Sequence, residues 1–111
     1  MQTFIVQWQF PTQEASIAAT KTFTDYVKDG SPYDDVEGFK VLNRVVNPHE
    51  GNGMAIVEAS NHAKIWKWCQ PWVSGFGNEV QVTPVLTDEE FVAVTEEIET
   101  THDNEVAAWQ L

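Results

Sequence analysis

The order in which strand-like and helix-like segments follow one another limits the fold of this chain more than any other feature. Short apolar segments, the first and last of them alternating, predict four β-strands, and two segments with apolar residues at helical spacing predict helices. The predicted strands cover residues 3–10, 38–46, 54–59 and 79–86, and the predicted helices cover residues 13–28 and 61–76. Turn-forming residues 47–53 predict a hairpin between the second and third strands. The 111 residues therefore predict a β-α-β-β-α-β domain.

This order is that of the ferredoxin-like α+β folds. Right-handed crossovers place both helices on one face of a four-stranded antiparallel sheet and leave the other face uncovered. Both faces of the predicted strands carry apolar residues, because apolar residues occupy adjacent positions, for example Ile5 beside Val6 and Ile56 beside Val57. Because a half-apolar face open to solvent favours association, we expect a second copy to pack sheet to sheet in a symmetric homodimer.

The acidity of the chain lies mostly near its C-terminus. The net charge is −11, and residues 88–111 contain eight acidic residues and no Lys or Arg. Thr87 followed by acidic residues predicts a capping box that opens a helix over residues 88–99. The chain is therefore divided into a domain of residues 1–87 and an acidic C-terminal helical extension of residues 88–111.

Apolar residues also occur in this extension. Phe91, Val94 and Ile98 follow one another at helical spacing, and we expect their burial on this subunit or on its partner. Trp109 is expected to anchor the end of the chain.

Composition argues against several classes of protein. The chain contains far fewer Lys and Arg than Asp and Glu residues. This balance argues against a nucleic-acid partner and against binding to an anionic membrane surface. No apolar stretch approaches the roughly 18 residues that cross a bilayer, and the first residues do not form a signal peptide, so we expect a soluble cytoplasmic protein. His49, His62 and His102 stand at no metal-ligand spacing, and Cys69 is the single cysteine. The sequence therefore predicts no metal site and no intrachain disulfide.

Most of the chemistry-bearing residues have an ordinary structural interpretation. Trp8, Trp68 and Trp72 belong to apolar stripes and are expected in the core, as is Cys69. Trp66 falls off the helical stripe and faces a barrel mouth, the dimer seam or solvent, where it could stack on a ligand.

Polar residues on the predicted strands are the main candidates for a site: Gln7, Gln9, Arg44, Glu58, Gln81 and Thr83. If they point between the sheet and a partner, they line a polar pocket in which Arg44 pairs with Glu58 across the hairpin. A structural hydrogen-bond network or a dimer contact is the alternative. The candidate ligand-binding residues are Gln7, Gln9, Arg44, Glu58, His62 and Trp66.

Three stretches carry a resemblance to a known family: Ile56-Val57-Glu58-Ala59, Ile65-Trp66-Lys67-Trp68 with Trp72, and the strand from Glu79 to Thr87. Over residues 3–87 the chain resembles a family of short bacterial proteins of unknown function within the dimeric α+β barrel superfamily. The resemblance implies that fold and a homodimer, and it implies no established activity. It does not extend to the acidic residues after Thr87.

Two classes of function remain open. The first is a non-enzymatic dimer that binds a small apolar or aromatic ligand between sheet and helices, with no catalytic residue and no cofactor. The second is a small cofactor-independent or haem-linked monooxygenase or isomerase, as some dimeric α+β barrels are. The haem-degrading members resemble one another in an Asn, a Trp and a His around the cofactor. This chain offers His62 and Trp66 on its second helix, but Gln7 and Gln9 in place of a strand Asn. A third hypothesis makes the acidic extension a partner-binding arm.

Overall fold

A computed structural model describes the backbone of residues 1–109 and the side chains through Thr101. Its elements are β1 (Gln2–Gln9), α1 (Gln13–Lys28), β2 (Asp35–Val36), β3 (Phe39–Asn47), β4 (Asn52–Ala59), α2 (His62–Phe76), β5 (Glu79–Val85) and α3 (Asp88–Trp109). The predicted β-α-β-β-α-β order is confirmed, and the short strand β2 is an addition that the sequence did not predict. The expectations for His102 and Trp109 lie outside the described side chains.

The described strands form one antiparallel sheet in the order β2-β3-β4-β1-β5. β1 lies between β4 and β5, so that Val6 stands opposite Ala55 on one side and Val82 on the other. Without β2, this is the strand order of a ferredoxin-like sheet. The fold is therefore α+β, as predicted.

The core lies where α2 packs on one face of this sheet. Phe4, Val6, Phe39, Ala55, Val57, Ala59, Ile65 and Cys69 form a buried cluster. Three alanine or valine positions of β4 are 1% exposed or less, and their small side chains let α2 lie close to the strand. The opposite face of the sheet is covered by no described element, and we call it the open face.

Local signals set the limits of the helices. The Thr12 hydroxyl accepts a hydrogen bond from the Ala15 N–H at 3.0 Å at the start of α1, and the Asn61 side chain accepts from Lys64 N–H at 3.2 Å at the start of α2. α2 ends at Gly77, whose φ of 68° is the left-handed conformation that glycine adopts without strain. A proline inside a helix removes one backbone hydrogen bond and commonly bends or breaks the helix, yet α2 continues through Pro71. Pro71 and Lys67, whose carbonyl would otherwise accept that bond, are both exposed residues.

α3 begins with the predicted capping box. Thr87 N–H donates to the Glu90 carboxylate at 3.0 Å, and Glu90 N–H donates to the Thr87 hydroxyl at 3.2 Å. Hydrogen bonding of the Glu90 carboxylate, first by the Thr87 N–H and then by the Thr87 side chain, lowers its pKa below the usual value. From Asp88 to Thr101 only Thr95 is even half-buried, so the stripe of Phe91, Val94 and Ile98 is not buried on this subunit. No helix among the described residues has both the length and the apolar character needed to span a bilayer.

Candidate functional site

A cavity of about 290 Å³ lies between the sheet, α1 and α2. Six of its lining residues are aromatic: Trp8, Phe10, Phe23, Tyr26, Trp68 and Trp72. Val6, Val46, Val80 and Cys69 add aliphatic and thiol surface. This lining is suited to an apolar or aromatic small molecule.

Both helices position the aromatic wall. The Trp72 ring of α2 meets the Phe23 and Tyr26 rings of α1 edge-on, with centroids 6.1 and 6.4 Å apart. Trp72 also lies 5.7 Å from Phe76 on its own helix. Such aromatic pairs restrict one another, so the wall holds its shape without a ligand.

Trp8 is placed by a glycine on the neighbouring strand. Trp8 of β1 stands opposite Gly53 of β4, and a Cβ added at Gly53 would overlap the indole ring and lie 2.7 Å from the Val45 carbonyl oxygen. Only a residue without a side chain leaves room for the Trp8 ring at this point of β4. In the sequence, Gly53 belongs to a turn-forming stretch, and that pattern predicts a turn and gives no sign of this role.

A β-bulge in β3 directs Arg44 into the cavity. Val41 pairs with Val57, but Asn43 pairs with Ile56, so the register shifts by one residue between them. Without this shift Arg44 would share the open face with Glu58. With it Arg44 stands opposite Ala55, on the face that the helices cover.

The Arg44 guanidinium is held by aromatic rings and by one carboxylate. It lies 5.0 Å from the centroid of Phe23 and 5.9 Å from that of Tyr26. Its Nη1 lies 2.9 Å from Oδ2 of Asp34, a residue just before β2, and the two side chains are 15% and 19% exposed. Asp34 therefore balances the positive charge at this side of the cavity.

Tyr26 completes this polar cluster. Its hydroxyl donates to Asp34 Oδ1 at 2.7 Å and accepts from the Tyr33 N–H at 3.1 Å. Burial, followed by the hydrogen bond to Asp34 and its negative charge, raises the pKa of Tyr26 to about 12. The phenol therefore stays protonated at neutral pH.

Asn78 lies at the other side of the cavity, between the end of α2 and the start of β5. It lines the cavity and is 8% exposed. Its Oδ1 is buried and has no hydrogen-bond partner among the described residues. The sequence analysis missed Asn78 because an Asn after a glycine at a helix end is typical of a turn.

The residues predicted from the sequence do not form one site. Gln7 stands opposite Gln81 and Met54, and Glu58 stands opposite Lys40 and Thr3. These positions belong to the open face, away from the cavity. No finding tests a ligand role for them, and it stays a prediction.

Gln9 stabilises the hairpin. Its Nε2 donates to the Glu50 carbonyl at 2.7 Å, and its Oε1 accepts from Asn52 Nδ2 at 3.3 Å. Gln9 thus fixes the β3–β4 turn, which carries cavity residues such as Pro48 and Gly51.

The predicted ion pair between Arg44 and Glu58 is wrong. The bulge in β3 places the two side chains on opposite faces, and Arg44 pairs with Asp34 instead. His62 and Trp66 lie on α2 but do not line the cavity. The His62 ring contacts Phe4 edge-on at 6.3 Å between centroids, and Trp66 is 54% exposed.

The chemistry of the lining favours binding over acid–base catalysis. Tyr26, Arg44 and Cys69 are its titratable residues. Burial raises the pKa of Cys69 to about 11, so its thiol, like the Tyr26 phenol, keeps its proton at neutral pH. The lining does not fit a haem, because His62 and Trp66, which the haem-linked hypothesis would use, lie outside it. Among the described residues, no three His, Cys, Asp or Glu side chains are grouped to hold a metal ion.

Comparison with known proteins identifies a family. The family model described as "Domain of unknown function (DUF3303)" matches residues 2–99, so the chain belongs to that family. The match includes the first half of α3, beyond the stretch over which the sequence resemblance was recognised. No curated protein and no solved structure matches the chain. Membership of an uncharacterised family is therefore confirmed.

Proposed function

We propose that this member of the family binds a small apolar or aromatic molecule between the sheet and its two covering helices. One observation carries the proposal: a cavity of about 290 Å³ with six aromatic residues in its wall. Small-molecule sites are typically concave, mostly apolar and formed before the ligand arrives, with a few polar groups that orient it. Arg44 and Asn78 are polar groups of this kind, one at each side of the cavity.

The protonation of the lining supports binding over the enzymatic alternative. General acid–base catalysis works best with a group whose pKa lies near the working pH. The pKa values of Tyr26 and Cys69 lie well above neutrality. The Arg44 charge is balanced by Asp34.

Titration with naphthalene, followed by tryptophan fluorescence and calorimetry, tests the proposal. Trp8, Trp68 and Trp72 line the cavity, so a bound aromatic molecule should change their emission in a saturable way. Thr20→Phe places a ring in the cavity and should weaken binding at least tenfold. Ile17→Phe is the matched control, because Ile17 lies on the same helix, is 65% exposed and does not line the cavity. Equal binding to both variants, or no binding to the wild type, would contradict the proposal.

We also propose that the protein is a homodimer assembled through its open face. This face is half apolar, with Ile5, Met54 and Ile56 only partly buried and Val45 55% exposed. The α3 stripe supports the same partner, since Phe91 and Ile98 are 59% and 61% exposed. A second copy offers an identical, half-apolar face, and the acidic residues of α3 can stay in solvent.

Sedimentation equilibrium tests the homodimer. The wild type should be dimeric at micromolar concentration, and Val45→Lys should shift it toward monomer. Ile17→Lys adds the same charge to a similarly exposed position on α1 and should leave the dimer intact. A monomeric wild type would refute the dimer proposal, and it would leave the ligand proposal standing.

A further inference from the structure

The geometry points to a neutral two-ring aromatic ligand whose hydroxyl or N–H group donates a hydrogen bond to Asn78. This inference rests on the proposed binding function and names the ligand class. It is carried by two independent observations: the size and lining of the cavity, and the buried acceptor in its wall.

The backbone of Asn78 is held in place on both sides. α2 ends at Gly77, and the Asn78 N–H then donates to the Trp72 carbonyl at 3.4 Å. β5 begins at Glu79, which pairs with Gln9 of β1. Asn78 is therefore fixed between a helix end and the start of a strand, which suits a residue that orients a ligand.

The Asn78 Oδ1 atom accepts no hydrogen bond from the described residues. It is buried in a residue that is 8% exposed, and no described residue donates to it. Buried polar atoms in proteins almost always have a hydrogen-bond partner. Because Asn78 lines the cavity, rotation of its amide group presents Oδ1 to a ligand there, and only a ligand with a donor at this point gives the atom a hydrogen bond.

The size of the cavity favours two rings. An engineered apolar cavity of about 150 Å³ in another protein accommodates benzene. The cavity here, at about 290 Å³, is nearly twice as large. Its aromatic walls offer stacking and edge contacts along the whole length of such a ligand.

The charge of the lining favours a neutral ligand. Among the described lining residues Arg44 alone is cationic, and Asp34 already pairs with that guanidinium at 2.9 Å. A carboxylate or phosphate ligand would have to compete with Asp34 and with the rings of Phe23 and Tyr26. A hydroxyl or N–H donor needs no such exchange.

Binding of a matched pair of ligands tests the inference. 2-Naphthol carries a donor, and 2-methoxynaphthalene has the same rings without one. By calorimetry the wild type should bind 2-naphthol about two- to tenfold more tightly, the range expected for one hydrogen bond. Asn78→Leu should abolish this preference and leave affinity for 2-methoxynaphthalene unchanged or higher. Asn43→Leu changes an exposed Asn on the open face and should keep the preference.

The outcomes separate the inference from the function on which it rests. Equal affinity of the wild type for the two ligands, or tighter binding of the acceptor-only 2-acetylnaphthalene, would overturn the role of Asn78 and leave the binding function intact. Binding of neither ligand would overturn both. If Asn78→Leu fails to fold, the wild-type comparison still decides the matter.

Discussion

Neighbouring residues of β1 experience the two faces of the sheet very differently. Phe4 and Val6 face the helices and are 5% and 1% exposed, whereas Ile5 between them is only partly buried and Gln7 is exposed. The covered face thus obtains its burial within one subunit, whereas no described element of the subunit covers the open face. Folding of the monomer should therefore depend on the first set of residues, and association on the second.

The covered face is itself divided. Phe39, Val57 and Ile65 are at most 1% exposed where α2 lies close to the strands. Toward the hairpin and α1 the same face opens into the cavity beside Trp8. The packed part supplies stability, and the open part contains the cavity in which we propose that a ligand binds.

The largest expected effect on stability comes from replacing a buried residue of β1 by alanine, compared with the same replacement at its neighbour. Phe4→Ala should lower the free energy of unfolding by about 3–5 kcal/mol, because it removes a buried ring from the core. Ile5→Ala should have a much smaller effect on the monomer and should weaken the dimer. Urea unfolding at low protein concentration and sedimentation measure the two effects. Equal destabilisation by both changes would contradict the contrast between the faces.

A second comparison concerns two glycines, Gly53 in β4 and Gly75 in α2. Gly53→Ala should cost about 1–3 kcal/mol, because its Cβ would displace the Trp8 ring, and it should also weaken naphthalene binding. Gly75→Ala is the control: a Cβ there meets nothing within 4 Å. It should raise stability by about 0.5–1 kcal/mol, because Gly75 lies within α2. Denaturant unfolding checks both, and unchanged naphthalene binding in Gly53→Ala would show that the cavity does not depend on Trp8.

The smallest effect concerns the polar cluster beside the cavity and depends on pH. Folding raises the pKa of Tyr26 from 10.0 to about 12, so its stabilising contribution is fully present below pH 10 and is lost as the pH rises toward 12. The free energy of unfolding should fall over this range in the wild type. Tyr26→Phe should lose that part of the pH dependence, and Tyr33→Phe, which changes a residue that is 66% exposed, should retain it. Parallel pH profiles for wild type and Tyr26→Phe would contradict the role of the cluster.

Much of the fold follows from local patterns. The predicted first helix has the observed bounds of α1, and the second predicted helix starts one residue before α2. The strand limits differ by one or two residues. The sequence does not predict β2, because two residues are too few to show a periodic pattern. This strand is defined by its pairing with β3.

The candidate site was less predictable. The sequence predicts Trp8, Trp68 and Trp72 in the core, which fits their side of the sheet but does not show that space remains between them. Arg44 was recognised as a candidate, yet its partner was assigned from simple alternation. The bulge reverses that alternation, and nothing in residues 41–43 signals it.

The sequence alone determined the order of elements, the helix caps and, except beyond the bulge in β3, the faces that residues share within each element, because these depend on neighbours a few positions apart. The tertiary structure alone decided that Arg44 meets Asp34, that Gly53 underlies Trp8 and that Asn78 is buried beside a cavity. Each of these depends on pairing register and helix packing. Those are set by contacts between residues far apart in the chain, and a local pattern contains no information about them.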